Sequence, residues 1–185
     1  MGIVNGKKMQ NIFLKDTQYD SSNMFRRLFS TLTHVDASGK AAMVDTTHKV
    51  YSYRKAYASA QVILGKDVFQ AVQTNTVQKG DVLTVSKLAG IMGVKKCSEL
   101  IPLCHPINVT HADVQLTLQE PDRLHIVCSA TVTHSTGVEM EALTGATVAA
   151  LTVYDMCKAM SKDIQITNVQ LQGKLGGKSG PYERR

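Results

Sequence analysis

Thirteen consecutive residues, Ala142 to Tyr154, carry no charge. All are Ala, Leu, Thr, Gly, Val or Tyr. They read as the body of a long helix, from about Glu141 to Met160. A helix with so little polar surface has almost no solvated face, so other elements must cover most of it. Charges gather only at its ends: Glu139 and Glu141 before it, Asp155 and Lys158 near its close. At 185 residues the chain is long enough for one domain with a real core around such a helix.

The rest of the chain supplies candidate cover. Residues 54–73 place Ala56, Ala60, Ile63, Leu64, Val68 and Val72 at helical spacing, which predicts an amphipathic helix. Lys79-Gly80-Asp81 reads as a turn. Thr84 or Ser86 reads as the cap of a helix that runs to about Leu100 and is ended by Pro102. Val109 to Leu118 and Arg123 to Thr133 read as strands, and Glu120-Pro121-Asp122 between them makes the pair a hairpin. Ile164 to Leu171 alternates as a last strand, and Lys174 to Gly180 reads as a flexible, basic, glycine-rich segment. Helices mixed with an antiparallel hairpin give an α+β class, with helices packed on one sheet face. Residues 1–31 are polar and basic without periodicity, and read as a poorly ordered tail or linker before a single domain over 32–185. Met24 to Ser30 has the character of a transit-peptide start, but Asp16 and Asp20 count against that reading.

Composition narrows the partners. The formal net charge of +6 favours an anionic partner, although a modest excess also serves solubility. No Trp and 5% aromatics count against a base-stacking nucleic-acid surface. No apolar run reaches the roughly 18 residues of a membrane span. The four cysteines, Cys97, Cys104, Cys128 and Cys157, form no C-x-x-C pair and no zinc spacing. They read as reduced thiols of an intracellular compartment, cytoplasmic or mitochondrial matrix, and no metal site is read from them.

Ionised groups inside apolar stretches are costly unless paired or used. Asp155 and Lys158 are three apart and share a helix face, which fits an ion pair or a site. Glu139 and Glu141 either favour the helix dipole or receive substrate donors. Sixteen residues along one helix span about 24 Å, so Glu139 and Asp155 cannot reach one small ligand within one chain. If both serve one site, two subunits share it. His105 is held extended by Pro106 and offers an imidazole for phosphate or for a proton relay. Lys79 lies in its turn, where most lysines are merely solvated. Lys174 and Lys178 lack P-loop spacing and suit a lid over a polyphosphate.

Seven segments together carry a resemblance: Leu32 to Asp36, Ala42 to Asp45, Lys79 to Asp81, Leu100 to Pro106, Gly137 to Thr144, Ala149 to Ala159 and Gly176 to Gly180. In this order they are similar to the cyclic pyranopterin monophosphate synthase family, the second step of molybdenum-cofactor biosynthesis. The resemblance implies a ferredoxin-like antiparallel sheet and a homohexamer, a trimer of dimers with sites at the dimer interfaces. It implies conversion of 3′,8-cyclo-7,8-dihydroguanosine 5′-triphosphate to cyclic pyranopterin monophosphate with release of pyrophosphate. It places Asp155, Lys158 and Lys79 at catalytic positions, the lysines moving protons and Asp155 tuning Lys158. Leu103, Cys104, His105, Glu139, Met140, Glu141 and Arg54 fall at substrate-binding positions, with His105, Lys174 and Lys178 holding the triphosphate oxygens. The sequence shows no cofactor requirement, and Mg²⁺ stays open as a companion of the phosphates.

Departures from the family pattern are small: Cys97 stands where a threonine-like residue is usual, and Gly145 where Ser or Ala is commoner. The sequence contains no C-x3-C-x2-C cluster, so this chain does not itself carry the radical step that makes the substrate. Two other readings compete. One is a module that binds a nucleotide without chemistry, with Asp155, Glu139 and Glu141 structural. The other is a thiol or metal protein using Cys104, His105 and Cys157.

Overall fold

The computed structural model describes residues 40–185. The chain divides into two units, Met1–Ala42 and Met43–Arg185, and all elements named below belong to the second. The tail and transit-peptide readings, and the Leu32 to Asp36 segment, lie outside the described residues.

The second unit runs β1 (Ser52–Ile63), α1 (Lys66–Gln73), α2 (Val82–Lys95), α3 (Cys97–Leu100), β2 (His111–Gln119), β3 (Arg123–His134), α4 (Glu139–Cys157), β4 (Gln165–Leu175) and β5 (Tyr182–Glu183). The strands form one antiparallel sheet in the order β2-β3-β1-β4-β5. Apart from β5, this is the split β-α-β arrangement of a ferredoxin-like α+β fold. The helices pack on one face of the sheet. On the other face Gln172 Nε2 donates to Ser59 Oγ at 2.6 Å, and Asn168 Nδ2 to Gln61 Oε1 at 3.2 Å.

The predicted hairpin is present, with Leu118 opposite Leu124 next to its turn. The predicted helix over 54–73 is corrected: it is a strand to Ile63 and a helix only from Lys66. Ala56, Ala58, Ala60 and Val62 alternate at period two and are fully buried, whereas alanine by propensity suggests a helix. Gly65, at φ 77°, turns the chain between the two elements. The final strand is longer than expected. It includes Lys174 and Leu175, and the chain folds back so that Lys174 pairs with Tyr182 of β5.

The small residues of β1 meet those of α4. Ala142, Ala146, Ala149, Ala150 and Val153 are fully buried beside Ala56, Ala58 and Ala60. Small side chains on both sides seat the helix close to the sheet at interior packing density. α2 covers the next flank of α4 through glycines. A Cβ at Gly145 would lie 2.5 Å from Cys128 Sγ and 2.6 Å from Val94 Cγ2, and one at Gly93 2.9 Å from Val148 Cβ. The sheet beneath and α2 beside it thus cover most of the uncharged run, and Leu151 within it stays 54% exposed.

Candidate active site

Both ends of α4 carry charge, and each end gathers its own group of side chains. At the C-terminal end, Asp155 Oδ1 lies 2.7 Å from Lys158 Nζ. Its Oδ2 lies 2.8 Å from Lys79 Nζ, which also donates to the Asp155 carbonyl at 3.0 Å. Lys158 is the C-cap residue, where ammonium groups favour the helix dipole. Lys79 arrives from 76 residues upstream. Its turn is fixed because Asp81 caps α2, accepting from Thr84 N at 3.0 Å. All three side chains are about half exposed. The Lys158 ammonium, then that of Lys79, pulls the Asp155 carboxyl down to about 2. Asp155 in turn raises Lys158, which therefore rests as an ammonium.

At the N-terminal end, Glu139 Oε1 accepts from Lys174 Nζ at 3.1 Å, and Lys174 also donates to Ser179 Oγ at 2.8 Å. A Cβ at Gly137 would collide with the Glu139 carboxylate, which folds back over that glycine. Arg54 Nε donates to the His134 carbonyl at 2.8 Å and Nη2 to that of Ser135 at 3.1 Å. These bonds brace the turn that leads into α4. The remaining nitrogen, Nη1, lies against Gly177, where a side chain would meet it. Lys178 is exposed on the same turn, and Met140 is partly exposed on the first turn of α4.

Glu141 is only 3% exposed. Burial, with Glu139 nearby, raises its carboxyl, and the Cys97 thiol lies within hydrogen-bond reach of it. Cys97 Sγ also contacts Thr144 Oγ1 at 3.4 Å, and burial pushes its thiol up to about 12. Cys104 is likewise raised by burial, with Glu141 acting in the same direction. These neutral thiols are poor nucleophiles. Leu103, Cys104 and His105 follow α3 as a half-buried loop, and His105 Nε2 lies 2.8 Å from the Val44 carbonyl.

The structure therefore brings Asp155, Lys158 and Lys79 together, and separately Glu139 with Lys174 and Glu141 with the Cys97–Cys104 region. It does not bring the two groups together. α4 is unbroken from Glu139 to Cys157, so their separation along it stays about 24 Å. Among the described residues, no group of three or more His, Cys, Asp or Glu side chains could hold a metal ion. Sequence reasoning missed Asp81 as the cap, although an Asp three residues before Thr84 is a readable signal. It also missed the Val44 carbonyl, for which a side-chain inventory holds no signal.

The MoaC family's sequence model matches residues 43–177. The chain is 56% identical over 156 residues to "Cyclic pyranopterin monophosphate synthase, mitochondrial" of Arabidopsis thaliana, covering 84% of this chain and 58% of that protein. It is 53% identical over 153 residues to "Molybdenum cofactor biosynthesis protein 1" of Drosophila melanogaster, covering 82% of this chain and 27% of that protein. To "Cyclic pyranopterin monophosphate synthase" of Heliobacterium modesticaldum it is 49% identical over 154 residues, 83% of this chain and 97% of that protein. The chain thus spans little more than half of the plant protein and about a quarter of the fly protein, but nearly all of the bacterial one. With the ferredoxin-like fold, and with Lys79, Glu139, Asp155, Lys158 and Lys174 inside the matched region, this chain belongs to the MoaC family.

Proposed function

We propose that the chain acts as a cyclic pyranopterin monophosphate synthase, taking 3′,8-cyclo-7,8-dihydroguanosine 5′-triphosphate to cyclic pyranopterin monophosphate and pyrophosphate. The observation that carries this reading is the Lys79–Asp155–Lys158 cluster, lying within a chain that matches almost the full length of a relative of that name. The reaction opens and recloses a purine-derived ring and closes a cyclic phosphate, so it needs proton donors and charge for the leaving pyrophosphate. Lys158, held as an ammonium by Asp155, supplies a proton donor, and Lys79 shares the same carboxylate. Lys174, Lys178 and Glu139 lie at the other end of α4, where lysines suit triphosphate oxygens.

One substrate is far shorter than the helix that separates these groups. The site is therefore completed by a second copy of the chain, the end of one α4 facing the start of the other. This is the organisation of the proposed homohexamer, a trimer of dimers. A divalent cation, where used, enters on the triphosphate, because the described residues offer no carboxylate cage. The four free thiols suit a reducing compartment, and the plant relative's name points to the mitochondrion.

Turnover with the cyclised dihydro-GTP tests the proposal, with pyrophosphate and pterin followed together. Both products should form, and both should disappear in Asp155→Ala and Lys158→Ala while fold and assembly persist. No product from a correctly assembled protein would instead leave a nucleotide-binding module without chemistry.

A further inference from the structure

His105 is anchored from two directions. Pro106 restricts its backbone to extended conformations. Its ring Nε2 lies 2.8 Å from the Val44 carbonyl oxygen, 61 residues upstream. A carbonyl oxygen only accepts, so Nε2 carries the hydrogen in this contact. The anchoring carbonyl belongs to a built turn. Asp45 Oδ1 accepts from Thr47 N at 2.8 Å and Thr47 Oγ1 at 2.6 Å, and Lys49 N closes on the Thr46 carbonyl at 3.0 Å. An aspartate that caps its own turn fixes the carbonyl just before it.

We infer that the neutral His105 ring is locked as the Nε2–H tautomer, so that its Nδ1 is the nitrogen that accepts a hydroxyl or ring N–H hydrogen from the substrate. This inference rests on the synthase reading for the identity of the substrate, but not for the tautomer. A ring whose Nε2–H is held by Val44 has, when neutral, no hydrogen left for a phosphate oxygen. His105 thus differs in role from Lys174 and Lys178: it recognises the nucleoside part of the ligand, and the lysines its phosphates. Asp45 is a positioning residue that acts through Val44.

Two experiments decide it. The first is long-range ¹H–¹⁵N correlation on the full chain labelled with ¹⁵N-histidine, with His105 assigned by its loss in His105→Gln. At neutral pH the Nε2–H pattern is expected, and Asp45→Ala should shift the signal toward a mixture of tautomers. An Nδ1–H pattern, or a ring protonated on both nitrogens, overturns the proposal whatever the enzyme's activity. The second compares two amide variants: Asn places its amide near the Nδ1 position, and Gln near Nε2. His105→Asn should retain kcat/KM roughly tenfold above His105→Gln, the worth of one kept hydrogen bond. The reverse order would mean that Nε2 is the nitrogen that matters, and would sink the assignment. If neither variant nor the native chain turns over while the Nε2–H pattern is present, the synthase reading fails and the tautomer stands.

Discussion

Asp155 meets two ammonium groups at once, Lys158 at 2.7 Å and Lys79 at 2.8 Å. Its folded carboxyl titrates at about 2 against an ordinary 3.8. A depressed carboxylate contributes stability that is fully present above the unfolded value and disappears as pH falls through the folded one. Comparison of the native chain with Asp155→Asn should therefore show a constant stability gap above about pH 4 that closes toward pH 2. Chemical denaturation at several pH values measures it. The three side chains are half exposed, so the gap should be small and should shrink in high salt. Ser86 is a different case. Its hydroxyl is fully buried in α2 and has no hydrogen-bond partner. Ser86→Ala removes an unsatisfied polar group and improves helix propensity, so it should stabilise by about 1 kcal/mol, read as a higher Tm. The pairing of Asp155 with Lys158 was legible in the sequence, since residues three apart share a helix face. The third member, Lys79, needed a contact across 76 residues that no local pattern encodes.

α4 is the element on which the site depends, and its uncharged body was its clearest signal. What the sequence did not say is how closely its neighbours approach. At Gly145, Cys128 and Val94 leave no room for a Cβ. Gly145→Ala gains helix propensity of about 1 kcal/mol, but forces α4 away from α2 and β3. We expect a net loss of about 1–3 kcal/mol by denaturant titration; a stabilised variant would show that the crossing yields freely. β1 is the element that was misread. Its alanines fit a helical period over part of their run, and propensity agreed. Only pairing with β3 and β4 on both sides makes an alanine-rich strand stable there. The last strand was read short because Lys174 to Gly180 looked like a loop by composition, whereas β5 supplies the partner that extends it.

At the scale of the whole molecule, the proposed assembly rests on one continuous helix. Glu139 and Asp155 sit on one continuous α4, and a ligand of nucleotide size cannot touch both. A chain carrying Glu139→Ala and a chain carrying Asp155→Ala should each be inactive alone. Mixed and reassembled, they should recover activity, because some shared sites then hold an intact half from each. With two mutant types in equal amounts, pairs that combine both types are half of all dimers, and each has one fully native site out of two. Roughly a quarter of native turnover is therefore expected. Full silence in mixed oligomers would place the whole site within one chain, and would require α4 to bend sharply.

The sequence by itself determined the class of the fold, the hairpin, the buried character of α4 and the chemical types at its two ends. These follow from periodicity, turn residues and the cost of burying charge, all of which act over a few residues. Tertiary structure decided which of those types meet. Lys79 reaches Asp155, Lys174 reaches Glu139, Arg54 braces the His134–Ser135 turn, and the Val44 carbonyl fixes the ring of His105. Each of these contacts joins residues at least 35 positions apart, and three of the four use a backbone carbonyl. A carbonyl is present at every residue, so no side-chain pattern marks the one that matters; only the packed chain brings it into place.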